Sequence, residues 1–173
     1  MKRIVVGVKN VSPLLMHSFP MVPIEAIEKK SKEEQAELST YRTPDNKLYI
    51  PAINIQRSLI AAAAFSKGKG RASLTKTAAA CFDIYPEYII LDPQEYVVDS
   101  RPVVVPATRG RILRHRPRFD EWKIEFELEF NENLITEKQA RRIMDDAGQL
   151  VGLLDFRPAC KGPFGRFIVT KWV

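Results

Sequence analysis

The chain has 173 residues, a formal net charge of +6 and a hydrophobic fraction of 45%. This length favours one domain with its own core, and the basic balance favours a polyanionic partner. Two cysteines and two histidines are too few for a disulfide framework or a zinc site. No apolar run reaches membrane-spanning length, and the N-terminus turns polar too early for a secretory signal. We therefore expect a cytoplasmic protein with no metal and no cofactor.

The first half of the chain predicts one buried strand and one core helix. The strand is predicted at 2–9, where β-branched residues cluster. Residues 24–38 have helical propensity, but they are so charged that only Ile24, Ile27 and Leu38 are expected to contact the core. The core helix is predicted over 55–65 with Asn54 as its N-cap. Its expected apolar face comprises Ile55, Leu59, Ala62, Ala63 and Phe65.

The second half of the chain predicts three further elements. One strand or two short strands are expected at 81–91, with a bend or sheet edge at Pro86. Residues 122–130 alternate strictly, which predicts a half-buried strand with an acidic outer face. Thr136 and Gln139 have the spacing of a capping box and are expected to begin a helix over 137–150, which precedes a last strand.

This order of elements indicates an α+β fold. The economical packing is a ferredoxin-like (RRM-like) βαββαβ sandwich, with an antiparallel sheet and both helices on one face. We predict a single domain over 1–173, with insertions at 18–50 and 99–121.

The stretch from Arg101 to Arg118 is the most unusual part of the sequence, because it holds six arginines, one histidine and no acid. Its three prolines disfavour a helix or a long central strand, so an irregular hairpin or flap around Gly110 is predicted. Arginine is suited to bidentate phosphate contacts, and Phe119 and Trp122 lie nearby for base stacking. The predicted nucleic-acid-binding residues here are Arg101, Arg109, Arg111, Arg114, His115, Arg116 and Arg118. The alternative is a solvated basic loop, or a loop that pairs with the acidic face of a neighbouring strand or subunit.

Two smaller basic clusters contain glycines. Lys67, Lys69 and Arg71 either bind nucleic acid or complement the C-terminus of the preceding helix. The segment 161–166 forms either a tight turn or a surface whose exposed glycine amides approach phosphates, with Lys161 and Arg166 as contacts. Arg157 either reaches the ligand or pairs with Asp155.

Acid–base chemistry has only two candidate residues. Imidazole is a common general acid or base, but His17 and His115 are far apart in sequence and no third orienting group is evident. A hydrogen-bonded turn residue is the favoured role for His17, and a stacking or phosphate contact is favoured for His115. No catalytic residue is assigned, and whether the protein is an enzyme stays open, with a non-enzymatic role favoured.

Four segments resemble the RAMP superfamily of CRISPR-associated proteins, in particular the subunits that repeat along a guide-RNA backbone. PLLMHS (13–18) resembles a short histidine-containing turn after strand one, and 43–59 resembles the family's Tyr-Ile-Pro start of the first helix. The stretch 101–118 lies where the family inserts a thumb-like hairpin. GLLDFRPACKGPFGRFIV (152–169) resembles the glycine-rich loop before the last strand.

The sequence departs from the family pattern at the first helix. The usual glycine, serines and lysine are missing from 52–57. Gln56 stands where the lysine would be, and Arg57 is a partial substitute, so both join the predicted binding residues. A diverged relative carried by a phage or mobile element fits as well as a standard CRISPR subunit.

The resemblance implies a subunit that binds the backbone of single-stranded or guide RNA within a multi-subunit antiviral complex, with low sequence specificity. Side-by-side assembly is also expected because the basic stretch could meet acidic faces (Glu33–Glu37 and Glu125–Glu129) of a neighbour. One alternative is a metal-independent endoribonuclease of the same fold. Another is a phage-type single-strand-binding or structural assembly protein.

Overall fold

The computed structural model describes residues 1–173. The chain forms nine strands: β1 (Lys2–Asn10), β2 (Leu14–Leu15), β3 (Tyr49–Pro51), β4 (Asp83–Tyr85), β5 (Tyr88–Ile90), β6 (Val97–Val104), β7 (Arg111–Phe119), β8 (Lys123–Phe130) and β9 (Phe167–Trp172). Five α-helices accompany them: α1 (Ile24–Glu28), α2 (Lys32–Leu38), α3 (Ala52–Ala62), α4 (Thr75–Cys81) and α5 (Glu137–Asp146). No helix is both long and apolar enough to cross a membrane.

The main sheet has four strands in the order β4-β8-β1-β9, and every neighbouring pair is antiparallel. Strands β1 and β8 form its centre, in a register that runs from Lys2 opposite Phe130 to Lys9 opposite Lys123. The predicted α+β class with an antiparallel sheet is therefore confirmed. A separate pair, β3 and β5, is also antiparallel.

The alternation predicted for β8 fixes which side of this sheet is buried. Trp122 and the next four alternate residues are at most 4% exposed, and they join one cluster of 33 buried residues. Helices α3 and α5 contribute to the same cluster through these side chains: Ile55, Leu59, Ala62, Ala140, Ile143 and Met144. Both helices therefore pack into the core behind the sheet, as their apolar periodicity predicts.

Helix α3 begins earlier than the sequence indicates. It starts at Ala52, directly after Pro51, so Asn54 lies inside its first turn and does not cap it. The proline holds the preceding backbone extended (φ −60°, ψ 133°), and the helix starts at the next residue. Phe65, predicted to face the core, is 56% exposed, because the α-helix ends at Ala62 and a 3-10 turn follows.

Helix α5 begins where predicted. The Gln139 amide donates to Thr136 Oγ1 (3.3 Å), and the Thr136 amide donates to Gln139 Oε1 (2.9 Å), which confirms the capping box. A π-helical turn continues α5 to Val151. Gly148 lies in this turn, where a Cβ atom would be 2.2 Å from the Phe167 carbonyl oxygen. Only glycine therefore permits this close approach of the turn to β9.

The charged region 24–38 forms two helices instead of one. Ser31 caps α2 through a second capping box with Glu34, so the helical run is interrupted just before it. Ile24 is 59% exposed, whereas Ala36 is fully buried, so the docking residue differs from the prediction. Helix α4 was not predicted.

The arginine-rich stretch forms a regular β-hairpin. Strands β6 and β7 pair antiparallel from Val97 opposite Arg118 to Val104 opposite Arg111, and 105–110 connects them. The predicted irregularity is wrong: Pro102 lies in the edge strand β6, Pro106 lies in the connection, and Pro117 lies within β7 opposite Val98. The short strand β2 pairs with the other side of β7 and completes a three-stranded sheet.

Candidate nucleic-acid interface

The hairpin formed by β6, β7 and 105–110 has two distinct faces. Directly opposite residues of an antiparallel pair project to the same side, and successive residues alternate. We call one side the arginine face; it carries Asp99, Arg101, Arg114, Arg116 and Arg118. We call the other side the apolar face; towards the tip it carries Pro102, Val104, Arg111 and Leu113.

Arg116 lies at the base of the arginine face and is only 5% exposed. Its Nη1 donates to Asp155 Oδ2, while its buried Nε has no hydrogen-bond partner. The same Asp155 oxygen is 3.4 Å from His17 Nδ1. Asp155 therefore links the hairpin to the segment that follows β2.

The surroundings of Asp155 favour its ionised form. Burial acts to raise the pKa, but the hydrogen bond to His17 and the charge of Arg116 outweigh it and lower the pKa to about 2. The carboxylate is therefore charged at neutral pH, and it compensates the buried guanidinium.

A second ion-pair cluster surrounds Asp99, which is 4% exposed. Arg101 binds it in a bidentate manner, with distances of 2.6 and 2.7 Å, and Arg118 Nη1 lies 3.3 Å away. Burial opposes ionisation, yet the Arg101 hydrogen bond and the nearby positive charges keep the pKa of Asp99 below its usual value. Arg118 also binds Asp120 (2.9 Å).

Arg101 also contacts the glycine-rich loop 152–165. Its guanidinium carbon is 4.8 Å from the ring centroid of Phe164 and 5.9 Å from that of Phe156. Such cation–π contacts position the base of the hairpin over this loop. Arg101, Arg116 and Arg118 are therefore engaged within the protein.

The tip of the hairpin differs from its base. Arg109 and Arg111 are exposed, whereas Arg114, which lies directly opposite Arg101 where the base and the tip meet, is half-buried. None of the three forms an ion pair. His115 binds Ser100 (Nδ1 to Oγ, 2.7 Å), so its partner differs from that of His17. The three tip arginines are available to an external anion.

A small cleft of about 180 Å³ lies beside Asp155. Its lining comprises His17, Tyr41, Asn54, Leu154, Asp155 and Arg157. Burial raises the pKa of the Tyr41 hydroxyl, which stays protonated at neutral pH. Arg157 donates to the Leu154 carbonyl (2.8 Å) and does not form the ion pair with Asp155 that the sequence left open.

The structure brings together the four segments of the family resemblance. Leu15 pairs with Arg118 of the hairpin, and its carbonyl accepts from the Asp155 amide (3.0 Å). Asn54 of α3 completes the cleft beside the glycine-rich loop. Asp155 is the residue at which these segments meet, and sequence reasoning considered it only as a partner of Arg157.

The glycines of the loop act within the protein. The Gly162 amide donates to Arg157 O (3.0 Å) and the Gly165 amide donates to Pro13 O (2.8 Å), so neither is a free donor. A Cβ atom at Gly162 would be 1.9 Å from the Phe156 carbonyl oxygen. The prediction of exposed glycine amides is therefore wrong.

The other predicted binding residues are mostly free surface cations. Six of them are exposed and form no ion pair: Arg57, Lys67, Lys69, Arg71, Lys161 and Arg166. Gln56 instead donates its amide to the Phe82 carbonyl (2.6 Å), which connects α3 to the residue before β4.

The structure corrects one expectation about the surfaces near the hairpin and finds internal ion pairs that bear on a second. Phe119 and Trp122 are 1% and 2% exposed, so they belong to the core and cannot stack on bases. The acidic face of β8 is neutralised within the chain: Arg3 binds Glu127 and Glu129, and Lys171 binds Glu125. A neighbour's basic hairpin would have to compete with these pairs.

No family model matches the sequence, and no match was found among curated proteins. Among solved structures, the fold is similar to a chain in a cryo-EM structure of the Type III-B Cmr-beta bound to cognate target RNA. The two chains are 12% identical with a TM-score of 0.53, and the match covers 99% of this chain. The present chain spans 60% of the length of that chain.

Proposed function

We propose that this protein is a nucleic-acid-binding subunit that contacts the backbone of single-stranded RNA. The observation that carries the proposal is the division of the hairpin. Its base is held by buried or half-buried ion pairs, while Arg109, Arg111 and Arg114 at its tip have none. Guanidinium groups held out on a supported strand pair are suited to bind phosphate.

We further propose a RAMP-like fold with a ferredoxin-like core and a single domain over 1–173. The chain order β1, α3, β4, β8, α5, β9, with the sheet order β4-β8-β1-β9, supports this assignment. The segments 18–50 and 99–121 are then insertions into that core. The similarity to a chain of an RNA-bound complex supports membership of a multi-subunit CRISPR-type assembly.

Sequence specificity should be low. The free cations of the hairpin tip and of the surface clusters end in guanidinium or ammonium groups, which bind phosphates without reading bases. The exposed residues Arg57, Lys161 and Arg166 extend the proposed path of the RNA strand. Arg101, Arg116 and Arg118 act mainly as supports in this proposal.

A salt titration of the affinity for a fluorescent single-stranded RNA tests the proposal. Each phosphate contact contributes a slope of about −0.7 to log K against log salt. The three tip contacts contribute about −2 to this slope, and contacts at further surface cations make it steeper. A slope near zero would contradict phosphate binding. Competition with DNA of the same sequence separates RNA binding from a phage-type single-strand-binding role.

A metal-independent endoribonuclease is the second candidate function. It is favoured by the His17–Asp155 pair (3.4 Å), which borders a cleft that also contains Tyr41. A carboxylate beside an imidazole is a common arrangement for general acid–base catalysis. Defined RNA products in chelator, lost in His17→Ala and kept in His115→Ala, are expected of this function. Intact RNA after prolonged incubation would exclude it.

A further inference from the structure

Three tyrosines, Tyr41, Tyr49 and Tyr88, form a row across the small sheet of β3 and β5. Tyr41 lies beside β3, since its carbonyl accepts a hydrogen bond from the Tyr49 amide (3.1 Å), and Tyr88 belongs to β5. The ring centroids of Tyr41 and Tyr49 are 5.8 Å apart, and those of Tyr49 and Tyr88 are 4.7 Å apart. The three rings therefore form one continuous aromatic surface, which we call the tyrosine row.

The register between β3 and β5 places the tyrosine row on the outer side of this strand pair. The inner side carries Ile50 and Ile89, which lie directly opposite each other and are fully buried. Tyr49 and Tyr88 alternate with these isoleucines and project outwards, where Tyr88 is 39% exposed and Tyr49 is half-buried. The buried side anchors the strands in the core, so the rings are held on a fixed surface that solvent reaches.

The charge beside the row favours an uncharged aromatic ligand over a phosphate. Glu87 precedes Tyr88 and is exposed. Burial, together with the neighbouring rings and the negative charge of Glu87, raises the pKa of Tyr49, so its ring is neutral at physiological pH. Glu87 would repel a phosphate at this position but not the flat face of a nucleobase. The row is therefore suited to contact the bases of a nucleic acid, whereas the hairpin tip is suited to contact its phosphates.

One end of the row borders the cleft beside Asp155. Tyr41 lines this cleft together with Asn54 and Arg157. The Asn54 amide offers both a donor and an acceptor, and Arg157 has donors beyond the one that it directs to the Leu154 carbonyl. These groups complement the polar edge of a nucleobase. A proline-rich peptide, another common ligand of exposed tyrosines, presents no ring edge with donors and acceptors to them.

We propose that the tyrosine row is a base-stacking platform for single-stranded RNA. Consecutive bases stack on Tyr88, Tyr49 and Tyr41, and the base on Tyr41 places its polar edge in the cleft. The inference rests on the proposed function for its ligand, and it adds contacts to bases where that function has contacts to phosphates only. Every base has an aromatic face, so stacking keeps the sequence specificity low. The platform uses no residue of the hairpin, whose tip arginines stay available to phosphates.

Binding of two strands of equal length tests the platform: a fluorescent single-stranded RNA and an abasic strand with the same ribose-phosphate backbone. The abasic strand keeps the phosphate contacts and the salt slope but loses stacking, so the unchanged protein should bind it at least about tenfold more weakly. Tyr49→Leu with Tyr88→Leu should weaken binding of the ordinary RNA by about tenfold and leave binding of the abasic strand unchanged. Tyr49→Phe with Tyr88→Phe keeps both rings and should keep the affinity.

Tyr85→Leu is the matched control. Tyr85 is 42% exposed, close to the value for Tyr88, but it lies outside the row and Arg3 covers its ring at 5.1 Å. This variant should bind both strands like the unchanged protein. Urea denaturation checks that each variant folds, and Tyr88→Leu alone, which changes the most exposed ring of the row, replaces the double variant if that one does not fold.

Equal affinity of the unchanged protein for the two strands would overturn the inference, and so would an equal loss of RNA binding in Tyr85→Leu. Unchanged RNA binding in the folded leucine variants would also overturn it, and a decaproline peptide that binds the unchanged protein but not these variants would then identify a polypeptide site. The two proposals fail separately. A normal salt slope without an effect of the tyrosines removes the platform only, whereas an effect of the tyrosines with a salt slope near zero removes the proposed phosphate contacts only.

Discussion

The base and the tip of the hairpin carry three arginines each but differ in what surrounds them. At the base, Arg101, Arg116 and Arg118 bind Asp99, Asp155 and Asp120, and Arg116 is almost fully buried. At the tip, Arg109, Arg111 and Arg114 have no acidic partner. Six residues of one type within one short stretch therefore divide into structural supports and candidate ligand contacts. Charge density alone does not identify a binding site; the position of the counter-charges does.

The largest loss of stability is expected when an aspartate at the base of the hairpin is removed. We expect Asp155→Ala to lower the free energy of unfolding by about 3 kcal/mol, because it leaves the buried Arg116 guanidinium uncompensated. Urea denaturation measures this loss. Asp120→Ala is the matched control: it removes a partner of Arg118 that is 57% exposed, and it should cost less than about 1 kcal/mol. Equal losses in both variants would show that the buried ion pair at the base stabilises the fold no more than an exposed ion pair does.

The tip should respond in binding and not in stability. Replacing Arg109, Arg111 and Arg114 by glutamine should weaken RNA binding by about 30-fold at low salt, or about 2 kcal/mol, and make the salt slope shallower by about 2. The unfolding midpoint should stay unchanged, since none of the three forms an ion pair. A control that removes the same charge elsewhere, at Lys29, Lys30 and Lys138, should keep most of the affinity. If both triples weaken binding equally, net charge and not the hairpin tip binds RNA.

Acid should weaken the base selectively. The pKa of Asp155 is lowered from 3.8 to about 2 on folding, so its contribution to stability is complete above about pH 4 and is lost as the pH falls towards 2. The expected loss is on the order of 1 kcal/mol after allowing for solvent screening, and Asp99 acts in the same direction. Unfolding free energies measured across this range should fall less steeply in Asp155→Asn. If Asp155→Asn loses unfolding free energy at acid pH as steeply as the unchanged protein, another residue causes this pH dependence.

The smallest effect is expected for the loop that joins the two strands. Replacing 105–110 with Asn-Gly should change the unfolding free energy by less than about 0.5 kcal/mol, because Val104 and Arg111 are directly opposed and accept a two-residue turn. Circular dichroism and urea denaturation measure the result. Unfolding of this variant would show that the tip belongs to the core, contrary to the division described above.

The sequence predicted the sheet core well because period and spacing are local signals. The alternation in 122–130 and the spacing of Thr136 and Gln139 correctly predicted β8 and the start of α5. The hairpin was located correctly, but its regularity was missed, since proline rules do not reveal that β6 lies at a sheet edge.

The candidate site was only partly predictable. The role of Asp155 depends on Arg116 and His17, which are 39 and 138 residues away in sequence, and no periodicity connects such distant positions. Phe119 and Trp122 illustrate the same limit, because proximity to arginines in sequence indicated stacking while tertiary packing buries both rings. The sequence indicates which types of residue form the site, but it does not show which residues contact one another in the folded chain.

The attachment of the hairpin has a mechanical consequence. Arg116 and Asp155 lie near the base, while Gly110 at the tip comes six residues before Arg116, or about 20 Å away at the rise of a strand. A rotation of about 10° about that attachment would move the tip by about 3–4 Å, roughly the rise of one strand residue. The hairpin is thus a lever held at its base by the ion pairs of Asp155 and Asp99 and by strand β2. A shift of this base would therefore be amplified at the tip, where the free arginines lie.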